Sequence, residues 1–148
     1  MDHTPTEDEG RIALRDHAVS RALFARSKHG PTIDAAAILR ILDDREIVRY
    51  PAGIRYDAAD LHPGEFAHAM QLADHPRQGF CLFIHPAFET RKDLLPLIIA
   101  YHIPAMNYGD IAEPEDCEAF GAALLGLDVE DYYQRLCSLA DSIGPSQS

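Results

Sequence analysis

Residues 95–109, LPLIIAYHIPAMNYG, form the most apolar stretch of the chain and carry a proline, Pro104, nine residues into it. Such a stretch is too apolar to lie on a surface helix, so it belongs to the core. A proline inside a helix removes one backbone hydrogen bond and presses its ring on the preceding turn. It also biases the residue before it towards extended geometry. The expectation is therefore a core helix over about 93–103 that ends near His102. A protonated imidazole there would be favoured by the negative end of the helix dipole.

The rest of the chain must supply the elements that cover this segment. With 148 residues, 47% of them hydrophobic and 25% charged, the chain suits one globular domain. A domain of that size buries roughly 70% of its unfolded surface. We expect a polar tail over residues 1–10, a single domain over 11–143 and a flexible tail over 144–148. RIALRDHAVSRALFARSK has the pattern of an amphipathic helix with Ile12, Val19, Ala22 and Leu23 inward. TIDAAAILRILDD is a second helix, capped by Thr32, with Ala37, Ile38, Ile41 and Leu42 inward.

EIVRY then switches to β-favouring residues, and PAG is a turn that would pair it with IRYD. In GEFAHAMQL, Phe66, His68, Met70 and Leu72 alternate with smaller or polar residues, the pattern of a half-buried strand. GFCLFIH is a continuous apolar run suited to a central strand, joined to it by ADHPRQG. Two further helices follow, 114–125 with Pro114 at its first position and Gly126 past its end, and 129–143 capped by Asp128. The order is two helices, strands, three helices. The fold class is α+β, a small mixed or antiparallel sheet packed with about five helices.

Charge restricts the partners. The net charge is −11, and between Lys92 and Arg135 there is no basic residue while nine acids occur: Asp93, Asp110, Glu113, Glu115, Asp116, Glu118, Asp128, Glu130 and Asp131. Residues 11–92 are nearly balanced, with twelve basic and ten acidic side chains. The field of the last third repels phosphate backbones and anionic lipid, which disfavours nucleic acid and membrane as partners. Solubility explains it first, and a basic partner protein is the sharper alternative. Arg11, Arg15, Arg21 and Arg26 of the first helix are the nearest countercharges if that helix packs across the C-terminal elements.

The start of the chain, MDHTPTEDEG, is acidic where a signal peptide would be basic and then apolar, and no apolar run reaches the ~20 residues needed to span a bilayer. Cys81, Cys117 and Cys137 form no C-x-x-C pair and lie in apolar segments, as expected of free thiols in a reducing compartment. These features lead us to expect a soluble, cytoplasmic protein.

No nucleophile elbow, phosphate loop or dinucleotide fingerprint occurs. His62, His75 and His85 each precede a proline, which places them at strand ends or turns. Cys117 is surrounded by acids that raise its pKa, so it makes a poor partner for His102 in a thiolate pair. Tyr101, Tyr108, Tyr132 and Tyr133 supply aromatic surface, and the spacing of Tyr132 and Tyr133 suits core or interface better than a ligand cage.

Taken together, PTIDAAAILRIL, EIVRYP, a hairpin ending in FCLFIHPAFE, the apolar helix and DCEAFGAALLG resemble the short gluzincin metallopeptidases of the ImmA/IrrE type over roughly residues 12–127. The resemblance implies a zincin-like fold. Its first histidine falls on His102, its glutamate base on Ile103 and its second histidine on Met106. Its downstream glutamate ligand falls near Asp116 or Pro114. A zinc helix needs two histidines four apart and a glutamate between them. Ile103 is no base, and the Met106 thioether suits Cu(I) rather than zinc.

The resemblance thus implies a peptidase scaffold without its chemistry, a pseudoenzyme that binds a protein or peptide beside the apolar helix. No catalytic residue, metal or cofactor is expected, and the remnant binding site is His102, Met106, Asp116, Tyr108 and His85. The alternative is a metal-dependent hydrolase with a rearranged set, His102, His85 and Asp116. Homodimerisation through the tyrosine-bearing last helix is compatible with both. One consequence is independent of the choice: a mobility-shift assay at low salt, where phosphate attraction is strongest, should show no micromolar retention of DNA or RNA.

Overall fold

The computed structural model describes residues 6–143, so the expected tail at 144–148 and the first five residues lie outside the described residues. Five helices and a three-stranded mixed sheet make an α+β fold. Helix α1 spans Glu7–His29, beginning inside the segment expected to be a tail. The reason is a capping box. The Glu9 N–H donates to Thr6 Oγ1 at 3.1 Å and the Thr6 N–H donates to the Glu9 carboxylate at 2.8 Å. Glu7, Asp8 and Glu9 in the first turn also suit the positive end of the dipole.

The buried stripe of α1 is Ala18, Ala22 and Ala25; of the set expected, Ala22 is buried and Val19 half-buried, whereas Ile12 and Leu23 are 62% and 52% exposed. Alanines let α1 approach closely where bulkier residues would hold it off. α2, Ala35–Leu42, buries Ala37, Ile38, Ile41 and Leu42 as expected. Its cap is Asp34 rather than Thr32, with the Ala37 N–H donating to the Asp34 carboxylate at 2.9 Å.

EIVRY is not a strand. The N–H groups of Ile47 and Val48 both donate to the Asp44 carbonyl, at 2.9 and 2.8 Å. The buried Asn107 takes two more groups: its Oδ1 accepts from the Arg49 N–H at 2.9 Å and its Nδ2 donates to the Ile47 carbonyl at 2.7 Å. Backbone groups bound in this way are not open to a strand partner. The first hairpin is therefore absent. β1, Ala52–Tyr56, instead pairs in parallel with β3, Phe80–Ile84, while β2, Ala67–Gln71, pairs with β3 antiparallel. The order β1-β3-β2 puts the apolar run in the centre, as its composition required.

β2 is half-buried as expected, but the alternation is incomplete: Phe66, Ala69 and Met70 are half-buried and Ala67 is buried, whereas His68 is exposed and Leu72 is 59% exposed. Small alanines point inward because α3 lies against this side of the sheet. His75 and His85 each cap a short 3-10 turn, accepting the Arg77 N–H at 3.0 Å and the Ala87 N–H at 3.1 Å through Nδ1.

α3 spans Leu95–Tyr108 and continues through Pro104, so the expected stop near His102 does not occur. α4, Pro114–Leu125, and α5, Val129–Ile143, have the expected bounds, and Gly126 ends α4 with a left-handed φ of 72°. Tyr132, fully buried, donates its hydroxyl to the Leu97 carbonyl at 2.8 Å and joins α5 to α3. Its ring lies so close over α4 that a Cβ at Gly121 would overlap it. Among the described residues no helix is long and apolar enough to cross a membrane.

Two of the four expected arginines meet the C-terminal acids. Arg15 Nε donates to Asp116 Oδ1 at 3.0 Å and Arg11 Nη1 to Oδ2 at 3.1 Å, while the Asp116 side chain has no exposure. Arg21 and Arg26 go instead to the carbonyls of Glu46 and Pro31. Burial raises the Asp116 pKa, but the Glu113 N–H and the two guanidinium groups outweigh it, so the net shift is downward. A depressed native pKa contributes stability above the unfolded value, near 4, that is lost as pH falls towards the native one. Asp116→Ala should therefore cost about 2–4 kcal/mol in urea unfolding at pH 7, with the deficit shrinking below about pH 4.

Candidate functional site

α3 runs beside β2, an edge strand, and the space between that strand and the helices opens as two clefts. The first, about 430 Å³, is walled by the start of β2, by Tyr101 and His102 of α3, by Glu118 of α4 and by Tyr133 and Cys137 of α5. The second, about 570 Å³, lies further along β2 against the C-terminal turn of α3, with Met106, Tyr108 and Arg49 on its wall. His68 borders both.

Pairing parity decides what β2 offers these clefts. The His85 N–H donates to the Phe66 carbonyl at 2.9 Å and the Leu72 N–H to the Gly79 carbonyl at 3.0 Å. In an antiparallel ladder the residues between such pairs point their backbone groups the other way. Ala67, Ala69 and Gln71 thus direct N–H and C=O to the outer edge, and the Ala67 carbonyl faces the His102 ring.

His102 is buried and sits within the helix rather than at its end. Its Nδ1 lies 2.8 Å from the Ile98 carbonyl. A carbonyl only accepts, so Nδ1 carries the proton. Burial is the largest influence on the ring and lowers its pKa below the ordinary histidine value, against the pull of the Ile98 and Ala67 carbonyls. The protonated imidazole expected at a helix terminus is thereby corrected to a neutral one. Three rings meet edge to face around it: Tyr101–His102 at 5.3 Å, Phe66–His102 at 6.0 Å and Phe66–Tyr101 at 6.3 Å. Burial, then the negative potential of Cys117, Glu118 and Glu115, pushes the Tyr101 hydroxyl up to about 12, so it stays protonated.

The five residues expected to form a remnant site are dispersed. His102 belongs to the first cleft; Met106, only 1% exposed, and Tyr108 line the second, where Tyr108 stacks edge to face on His17 at 5.8 Å. Asp116 is committed to α1, and His85 caps its turn against Phe88. Among the described residues no group of three His, Cys, Asp or Glu side chains could hold a metal ion, so His102, His85 and Asp116 do not converge.

The Cys117 thiol is pushed up to about 12, by burial first and then by Asp116 and Glu118, which makes it a poor nucleophile. All three cysteines are free, Cys137 being the least buried. Of the last-helix tyrosines, Tyr132 is core, whereas Tyr133 is 43% exposed on the cleft rim.

Glu65, Phe66, Glu118 and Cys137 are wall residues that motif reasoning passed over. A signal existed for α5: Tyr133, Cys137 and Ala140 recur at helical spacing one position out of phase with the core series Tyr132, Leu136 and Leu139. Comparison of the chain with protein-family models, curated proteins and solved structures found no match.

The state of His102 can be measured directly. A heteronuclear NMR titration should find it as the Nδ1–H tautomer, taking up a proton only below the ordinary histidine value of about 6.5. Because the native state disfavours the charged ring, its contribution to stability should decline as pH falls below that value.

Proposed function

We propose that the protein is a non-catalytic, zincin-like α+β domain that holds an extended protein or peptide segment as an added strand on β2. The observation that carries this reading is the outer edge of β2: backbone groups of Ala69 and Gln71 face outward beside the clefts, while the Ala67 carbonyl meets His102. Strand addition draws its affinity from such groups and its specificity from pockets for alternate side chains, and needs no catalytic residue. At 430 and 570 Å³ the clefts are large enough for side chains of the added strand.

The order of elements supports the zincin-like part. Two helices lead into a mixed sheet, and its antiparallel edge strand precedes an apolar helix and then an acid-bearing one. At the positions that resemble the peptidase site stand His102, Ile103, Met106 and Asp116. His102 donates to its own helix, Ile103 and Met106 are core, and Asp116 holds two arginines, so the scaffold serves binding rather than hydrolysis. Three free thiols support residence in a reducing compartment, the cytoplasm.

Ala69→Pro tests the reading selectively. The Ala69 N–H points away from β3, so proline there removes an outward donor without breaking the ladder. Peptides selected on the wild-type chain from a random display library should lose at least about tenfold in affinity for this variant, as expected when a strand-addition bond is lost and the ring blocks approach. Unchanged binding to a folded Ala69→Pro protein would overturn strand addition.

A further inference from the structure

The first cleft combines aromatic walls with an uncompensated carboxylate. Its charged acidic groups are Glu65 and Glu118, and no lysine or arginine lines it. Glu65 accepts the His62 N–H at 2.9 Å and lies 4.0 Å from His68. Glu118, half-buried, makes no hydrogen bond or ion pair among the described residues. The opposite charge that reaches it is Arg15, already committed to Asp116 at 3.0 Å. Burial first, and then the like charges of Glu115 and Glu130, raise the Glu118 pKa, a carboxylate that a cation would relieve.

The remaining walls suit the rest of a basic side chain. Leu136 and Ala140 are aliphatic, and Phe66, Tyr101 and Tyr133 present rings. Phe66 and Tyr101 meet edge to face, with centroids 6.3 Å apart, and form one continuous aromatic wall. A lysine or arginine stem buries along apolar surface while its head keeps a charged partner, and ring faces attract the cation. A leucine in the same place would desolvate Glu118 without compensation, and an acidic residue would be repelled. Glu115 and Glu130 act on Glu118 with the same sign, which favours the approach of a cation to this cleft.

We propose that this cleft is a specificity pocket for a lysine or arginine side chain of the segment that pairs with β2. The proposal rests on the strand-addition reading for the identity of the segment, while the pocket itself can be probed without any strand.

The test uses the full chain with isotope-labelled aromatic rings, titrated with N-acetyl-lysine N-methylamide, its arginine counterpart and the uncharged norleucine counterpart. The lysine and arginine compounds should shift the ring signals of Phe66, Tyr101 and Tyr133 saturably. Their affinity should exceed that of norleucine by at least about tenfold and weaken as salt is raised. Glu118→Gln should abolish the preference, and because Glu118 has no structural partner the variant should fold. Tyr133→Leu, at an exposed rim position, is a second variant that should lower lysine affinity.

Equal binding of norleucine, ring signals that do not move, or a preference that survives Glu118→Gln would each overturn the pocket. Ala69→Pro separates the two readings, since it should leave the single-residue compounds bound as before while display-selected peptides are lost. Peptides lost by that variant but showing no basic preference would remove the pocket and keep strand addition. Lysine bound at the rings with no strand-forming peptide retained would do the reverse.

Discussion

α3 has no polar side to give to solvent, and the rest of the molecule is arranged by that constraint. Leu95, Ile98, Ile99, Ile103 and Met106 are each 2% exposed or less, and His102, Pro104 and Asn107 are buried with them. Burying a large aliphatic side chain contributes roughly 1.5–3 kcal/mol, whereas an interior proline costs about 3 kcal/mol. Several such residues outweigh one Pro104, which is why the helix continues where local preference would end it. A helix apolar on all sides needs neighbours on all sides. The sheet, α2, α4 and α5 supply them.

The neighbours are then fixed by a few polar contacts that only make sense around α3. Asn107 takes the backbone of Ile47 and Arg49, holding that segment out of the sheet and leaving β1 free to pair in parallel with β3. Tyr132 reaches across Gly121 to the Leu97 carbonyl and sets the depth of α5. Asp116 anchors α1 through Arg11 and Arg15. That last contact also shapes the surface. Both guanidinium groups are drawn to one buried acid, so among the described residues Glu118 has no ion-pair partner at the wall of the first cleft.

The candidate site follows from the same geometry rather than from a motif. His102 is neutral because it is buried, and its Nδ1 is occupied by its own helix, so it serves as a wall of the cleft. What remains available is the outer edge of β2 and the surfaces beside it. An open strand edge is a hazard unless it is covered or used. Here it is flanked by clefts with aromatic and acidic walls, the feature on which the proposed strand addition rests.

Much of this architecture was legible in the chain. The bounds of α4 and α5 follow from Pro114, Gly126 and Asp128, residues whose backbone chemistry acts within one or two positions. The central place of β3 follows from its unbroken apolar run, and the hairpin with β2 from the turn between them. The pairing of Arg11 and Arg15 with the acid-only third was foreshadowed by charge balance alone, because unpaired acids without local cations must look to distant ones. These are local signals, or global ones that need no coordinates.

What the tertiary structure decided are the outcomes set by competition between distant groups. Whether Pro104 ends its helix depends on how much apolar surface is buried around it. Whether EIVRY is a strand depends on Asn107, 58 residues from Arg49. The face that β2 turns inward depends on the space left by α3, and the protonation of His102 on its depth. The first cleft joins Phe66, just before β2, with Tyr101, Glu118 and Tyr133 from three helices. No spacing along the chain encodes that meeting, because side chains so far apart in sequence are brought together only by the packing of the elements that carry them.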